Sequence, residues 1–305
     1  MHVQAAAPQR VAIVGGGWAG IATAVRLVDA GANVQLFEAA AQLGGRARSL
    51  DDSPETLDNG QHIMIGAYAR SLALMAQVGA PVETGLLRLR LQWQRADGSA
   101  LRLGPGPTGL AFALAVLRHR PWRWPERQSL LQHCLRWAAL RFRLDEDCSV
   151  EQLCHGMAQR PYMELIAPLC ISALNTPAAQ ASAQVFLRVL HDSLFGGRGA
   201  ADLLLPRRPL GALLASPADR WLRQRGASLH LRHAVQCIDK LPQAWSIEGQ
   251  TFDQVILACS APGAARLAQA HAPAWAAQAQ ALKHQPIVTV YLDRKSTRLN
   301  SSHRL

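Results

Sequence analysis

Apolar residues along this chain fall into a few distinct rhythms. Val11–Val14 is an unbroken apolar run, the pattern of a strand buried on both faces, and Val34–Phe37 is a second. Between them Ile21–Asp29 carries helical spacing, with Gly31 punctuating its end, so the N-terminal stretch predicts strand, turn, helix, strand. Tyr68–Val78 again has helical spacing, Leu86–Leu103 alternates as a strand pair around the turn Ala96-Asp97-Gly98, and Leu110–Leu117 is wholly apolar. Leu153–Leu174, Ala181–Leu194 and Leu210–Arg225 read as helices. Ser228–Leu231, Ala234–Ile238, Trp245–Ile247 and Phe252–Ala258 read as strands, and Leu282–Leu292 predicts a final one. Strands alternate with helices at both ends of the chain and the middle is mixed. The expected class is α/β.

The first turn carries chemistry. Gly15, Gly17 and Gly20 make GxGxxG between the first strand and its helix. Gly15 permits the tight turn, Gly17 lets the backbone approach a pyrophosphate, and Gly20 allows close helix–strand packing. The helix N-terminus presents unpaired N–H groups to that anion. Glu38 ends the second strand 18 residues past Gly20, where an acid accepts hydrogen bonds from an adenosine ribose. Three glycines alone are a weak signal, but strand, turn, helix, strand and acid arriving in order point to a Rossmann-like dinucleotide site. Behind it, Gly44 and Gly45 free the backbone to approach a ligand, and Arg46 offers a forked cationic donor. In isolation that string is an ordinary surface turn; its place behind the second strand gives it weight.

GxGxxG, the acid and LGGRARS together resemble the two-part signature of the FAD-dependent amine oxidase and carotenoid desaturase superfamily. LDNGQHIMIGAY (57–68), LNTP (174–177), GGRGAADLLLP (196–206) and PLGALL (209–214) narrow the resemblance to the squalene-associated desaturases, the hydroxysqualene dehydroxylases of hopanoid synthesis. The likeness runs from about residue 10 to about 292. It implies an amine oxidase/phytoene desaturase-like fold, a Rossmann-like FAD-binding domain with an inserted α+β substrate domain. The FAD-binding domain would occupy 9–70 and 205–265, with a substrate domain at 71–204 to which 266–292 begins a return. It implies FAD as cofactor, an isoprenoid lipid substrate, hydroxysqualene, and an electron donor that the sequence does not name. It also implies that the backbone of Val235 holds the adenine.

Within that frame His62 and Asp58 are candidates to protonate a departing hydroxyl, Asp58 being equally suited to fixing its own loop. Gln61 is a candidate cofactor contact and Asn59 a weaker polar one. Asn175 either lines a cavity or caps a helix. No hydrolytic triad and no metal-ligand spacing is visible, so the hard chemistry falls to the cofactor. Two other readings use the same fold: an oxidative isoprenoid desaturase or amine oxidase, and a non-catalytic lipid carrier resembling the GDP-dissociation inhibitors.

Charge modifies this picture in two places. The 305 residues carry a formal charge of +11. Asp293–His303, DRKSTRLNSSH, resembles a translated sequencing adapter, so 293–305 is expected to be a non-native tail contributing +3, with the natural sequence continuing differently beyond 292. Residues 118–143 hold seven arginines against Glu126 alone, interleaved with Trp122 and Trp124. Two readings of 110–144 remain open. One is a pair of core helices with a wet arginine face, burying Leu131, Cys134, Leu135, Ala138 and Phe142. The other is a patch resting on a membrane. No nucleic-acid module is visible. Six scattered cysteines, no signal-like N-terminus and no apolar run near the ~20 residues of a span lead to the expectation of a cytoplasmic protein, peripheral on the membrane at most.

Overall fold

The structure is a computed structural model and describes residues 8–50, 56–284 and 286–292; the adapter-like tail lies outside the described residues. Packing divides the chain into two units, one of Met1–His62, Leu72–Leu86 and Pro206–Leu305, the other of Ile63–Ser71 and Leu87–Leu205.

The first unit is built on a four-stranded parallel sheet in the order Ser228–Leu231, Asn33–Glu38, Arg10–Val14, Gln254–Leu257. The register aligns Val14 with Phe37 on one side and Leu257 on the other, and Leu231 with Glu38, so the carboxyl ends of all four strands meet at one edge. Ligand sites of open parallel sheets form at that edge. Val11–Val14 is an unbroken apolar run because both faces of that strand are covered, and Val11, Ala12, Ile13 and Leu36 are fully buried. The Trp18–Asp29 helix lays Gly20, Ile21, Ala24 and Val25 against the sheet. A small antiparallel sheet (Asp239–Lys240, Trp245–Ile247, Gln250–Phe252) adds Ile247 and Phe252 to a cluster with Phe37, Val235 and Ile238.

Three expectations change in this unit. Ala234–Ile238 forms no strand: Arg232 turns into the left-handed region at φ 55°, and Val235 and Ile238 anchor an irregular crossing instead. The described residues of Leu282–Leu292 take no regular element and pair with no described strand; without a ladder to satisfy the backbone, an apolar pattern does not make a strand. Leu72–Leu86, read as part of the insertion, packs with the first unit. There Met75, Val78 and Leu86 are buried, Gln77 Nε2 donates to Asp29 at 2.8 Å, and Arg207 N donates to the Gly85 carbonyl at 2.8 Å.

The second unit gathers the helices Thr108–Arg118, Trp124–Ala139, Ala167–Leu174 and Ala183–Phe195 around Val116, Leu130, Trp137, Cys170, Phe186 and Leu187. The hairpin Gln92–Gln94/Ala100–Arg102 forms around the expected turn. Asn175 is a helix C-cap, at φ 50°. Leu153–Leu174 is broken rather than continuous. A turn at Gly156 interrupts it, and a π-helical turn, Tyr162–Ile166, precedes Ala167–Leu174. A second π turn, Gly211–Ala215 in the first unit, opens the Ser216–Gln224 helix. Pro168 and Pro217 each stand two residues past such a turn and have no N–H for the carbonyl four residues back, which loosens the ladder there.

Most of the expected face of Trp124–Ala139 does turn inward: Leu131, Cys134 and Ala138 pack against the core and Phe142 is buried from beyond the helix end, at φ 56°. Leu135 departs, at 71% exposed, and the fully buried positions are Leu130 and Trp137. Trp137 carries the largest apolar area on this helix, and the 130, 134, 137 spacing follows it inward.

Two stretches that looked distinctive in sequence are one structure within this unit. Met64 and Ile65 pair antiparallel with Leu204 and Leu203, Gly66 N donates to Asp202 O at 2.9 Å and Ala67 N to Ala200 O at 2.8 Å. A Cβ on Gly66 would stand 1.9 Å from the Gly199 carbonyl oxygen, so only glycine permits this approach.

Glu164, on the π turn, accepts from Trp122 Nε1 at 2.7 Å and Arg160 Nε at 2.9 Å and pairs with Arg95. Burial by itself would raise its pKa, but these donors outweigh burial and hold the carboxyl below its ordinary 4.5. A depressed folded pKa gives stability that is present above pH 4.5 and lost as pH falls through the lowered value. Glu164→Gln is therefore expected to lower the thermal midpoint at neutral pH. The gap from wild type should close in more acidic buffer, as read by unfolding scans across pH.

Candidate cofactor site

The site starts from two backbones in contact at the carboxyl edge of the sheet. Gly15, at φ 112°, donates its N–H to the Phe37 carbonyl at 2.8 Å, and a Cβ there would meet Cys259 N at 2.6 Å. A Cβ on Gly20 would stand 1.8 Å from Gly15 O, which fixes the start of the helix against the turn. The second glycine pair lies directly on the first: Gly44 N donates to Gly16 O at 2.8 Å, and a Cβ on Gly45 would come within 2.9 Å of Gly17 Cα.

Donors are left over here. Gly17 caps the Trp18–Asp29 helix without a side-chain hydrogen bond, and the first turn holds no acid. The N–H groups of Trp18, Ala19 and Gly20 donate to no described group, as the opening N–H groups of a helix do when a ligand is to take them. The buried Trp18 Nε1 is likewise unpartnered among the described residues. An anion that accepts several hydrogen bonds fits this set, and a pyrophosphate is such an anion.

Glu38 is held in place by the same loops. Its Oε2 accepts from Gly16 N at 2.6 Å and its Oε1 from Ala40 N at 2.8 Å. Each carboxylate oxygen retains a second lone pair for a ribose hydroxyl. Val235 is buried beside Phe37 and Val14; Arg266 Nη2 donates to its carbonyl at 3.1 Å, while its N–H donates to no described group. Arg46 is exposed, and its guanidinium makes no hydrogen bond or ion pair with described residues, so the fork is free for a ligand. Asn59 fastens this loop from the side, donating Nδ2 to Arg46 O at 2.8 Å and its N–H to Arg48 O at 2.8 Å.

Asp58 and His62 follow in the same loop with different fates. Asp58 Oδ1 accepts from Ser49 Oγ at 2.8 Å and from Leu210 N at 2.9 Å, and Gly211 N donates to Ser49 Oγ at 3.0 Å. Asp58 thus sits at the mouth of the Gly211–Gln224 helical segment, bonded directly to Leu210 and joined to Gly211 through Ser49. Ser49 escaped the sequence reading, since its partners lie 9 and 162 residues away and no local pattern marks it. His62 is half-buried with Nδ1 3.0 Å from the Gly60 carbonyl oxygen. A carbonyl only accepts, so Nδ1 carries the proton and Nε2 is the nitrogen left for chemistry. Gln61 is exposed.

The cysteines offer no rival chemistry in this region. Burial raises the Cys259 thiol above its ordinary value and keeps it protonated beside Gly15, and all six cysteines are free.

The model of the flavin containing amine oxidoreductases matches residues 18–297. The chain belongs to that family. FAD is therefore the dinucleotide this edge is built for. Among similar proteins is the hydroxysqualene dehydroxylase of Sinorhizobium fredii, 30% identical over 76% of this chain and 55% of that protein. The hydroxysqualene dehydroxylase of Rhodopseudomonas palustris is 29% identical over 75% and 54%. The chain thus spans about half the length of the curated relatives it matches. A zeta-carotene desaturase of Synechocystis is 49% identical, but over only 23% of this chain and 15% of its own. An oxidoreductase from Methanosarcina mazei shares the fold with a TM-score of 0.66 at 15% identity, covering 90% of this chain and 65% of that one. Putrescine oxidase does so with a TM-score of 0.56 at 17% identity, covering 85% and 60%.

Glu38→Gln should weaken FAD binding by about tenfold, or about 1.4 kcal/mol, because one of the two backbone N–H groups would face an amide N–H instead of an oxygen. Titration of the apoprotein with FAD, followed by flavin fluorescence, measures it.

Proposed function

We propose that this chain acts in the reductive removal of the hydroxyl of hydroxysqualene to give squalene. The observation that supports this reading is the identity held over a long alignment: two hydroxysqualene dehydroxylases are 30% and 29% identical over about three quarters of the chain. A zeta-carotene desaturase of Arabidopsis thaliana aligns over 85% of the chain at 24% identity, and the one of higher local identity aligns over 72 residues only.

In this reaction the allylic C–O bond breaks, the oxygen takes a proton and leaves as water, and a hydride equivalent fills the carbon. Reduced FAD supplies those two electrons when bound. The protein's tasks are to hold the cofactor, exclude water and deliver the proton. His62 is the proton donor in this reading. Its Nδ1–H is held by Gly60, so the imidazolium form presents Nε2–H to the leaving oxygen. Asp58 serves as a positioning residue: an oxygen that already accepts from Ser49 and Leu210 is placed to hold the 58–62 loop, not to give up a proton. Arg46 and the N-terminal N–H groups of the Trp18–Asp29 helix hold the phosphates, and Val235 meets the adenine.

Anaerobic mixing of the reduced, FAD-loaded protein with hydroxysqualene tests the assignment. Flavin reoxidation matched by squalene supports it. Absence of both overturns it, and a product with added double bonds transfers the chain to the desaturases. His62→Gln is expected to keep FAD and lose about a hundredfold in the rate of squalene formation. Asp58→Ala, which removes the oxygen that takes both hydrogen bonds, should instead lower the unfolding midpoint and FAD retention together.

A further inference from the structure

The Thr108–Arg118 helix has two apolar faces, and the core takes only one. Ala111 and Val116 are buried, with Phe112 and Ala115 packed behind them. Leu110, Leu114 and Leu117, at the i, i+4, i+7 spacing of a single stripe, are 59%, 39% and 37% exposed. A helix apolar on every side is ordinarily covered on every side. Beside it, between this helix and the Gln92–Arg102 hairpin, an open groove of about 620 Å³ is lined by Ala100, Pro105, Ala111 and Leu114, and by Arg102 and Arg118.

Charge identifies what this face suits. Residues 98–125 contain no acid and four arginines, at 102, 118, 120 and 123. None of those four guanidinium groups meets a carboxylate among the described residues. The nearest following acid, Glu126, is turned back onto its own helix, accepting from Arg123 N at 2.6 Å. Trp124 is exposed six residues past the helix, and Arg127 lies 5.6 Å over its ring. Leucines beside unpaired arginines, with an indole at the margin, match the acyl, phosphate and interfacial layers of a lipid surface.

We propose that this face docks onto a bilayer of anionic phospholipid. The Leu110/Leu114/Leu117 stripe enters the acyl boundary, and Arg102 and Arg118 hold a lipid phosphate at the groove. No described helix is long and apolar enough to cross a membrane, so the contact is with one leaflet. The proposal rests on this face alone and is independent of the substrate.

Flotation of the FAD-loaded full chain with vesicles tests it, using phosphatidylcholine alone and phosphatidylcholine with phosphatidylglycerol. Binding is expected to the anionic vesicles, falling as salt rises, and to be weak on the neutral ones. Leu110→Gln/Leu114→Gln/Leu117→Gln should keep the thermal midpoint and bound FAD while losing about tenfold or more in partitioning. Should that variant fail to fold, Arg102→Gln/Arg118→Gln serves instead and should lose the preference for anionic vesicles by about tenfold. Equal, salt-insensitive binding to both vesicles, or unchanged binding by the variants, overturns the proposal. So does a wild-type chain that ignores vesicles and self-associates through the three leucines, seen as a dimer by light scattering.

Discussion

The close approach of two glycine segments at the sheet edge is the constraint on which this structure depends. A methyl group on Gly20 would sit almost inside the Gly15 carbonyl, and one on Gly45 would push against Gly17. Neither collision could be relieved by rotating a side chain, because the obstructing atoms are backbone. Each glycine gives up more chain entropy on folding than alanine would, about 0.5–1 kcal/mol. The return is a surface of bare N–H groups that no side chain could furnish at this density. Those donors face a ligand and not the protein, so the edge is completed only when an anion fills it.

Glu38 and Asp58 show how alike two carboxylates can look in sequence and how differently a fold employs them. Both accept two hydrogen bonds from their own unit. Glu38 spreads them over separate oxygens and keeps capacity on each, so it can serve scaffold and ribose together. Asp58 draws both onto one oxygen, from a serine and from the start of a helical segment, and so ties its own loop to that segment. In the proposed reaction the proton donor of this loop is His62, whose Nδ1 lies against the Gly60 carbonyl and leaves Nε2 open.

What the sequence made legible follows the range of the interactions. The parallel sheet's central strands, the glycine turn, the capping Asn175 and the hairpin at 92–102 are set by contacts among near neighbours, and periodicity reads these well. That Leu130 and Trp137 lead the buried face of the Trp124–Ala139 helix while Leu135 is left out was not legible, because Leu131, Cys134, Leu135 and Ala138 form one apolar stripe in the sequence. Only the volume of Trp137 and the space waiting for it decide. Ser49 was invisible for the same reason, its role being defined by Gly211, far along the chain. The π turns before Pro168 and Pro217 are intermediate: the prolines are plain in the sequence, but whether the helix kinks, stops or widens depends on what packs against it.

The arginines of the second unit illustrate why composition alone misleads about surfaces. Arg95 and Arg160 are committed to Glu164, and Arg127 to the Leu117 carbonyl. Trp122, which in sequence looks like a companion to Trp124, is buried with its indole N–H on that same carboxylate. Part of an apparently interfacial string is therefore interior framework, with Trp122 and Arg127 turned inward. Subtracting it sharpens what is left. Arg102, Arg118, Arg120 and Arg123 retain no acidic partner among the described residues, and they border leucines that the core does not need. Exposed leucines could be scattered without meaning, and unpaired arginines are common on basic proteins. Their coincidence on one helix and one groove, in a stretch without a single carboxylate, is harder to obtain from either tendency acting alone.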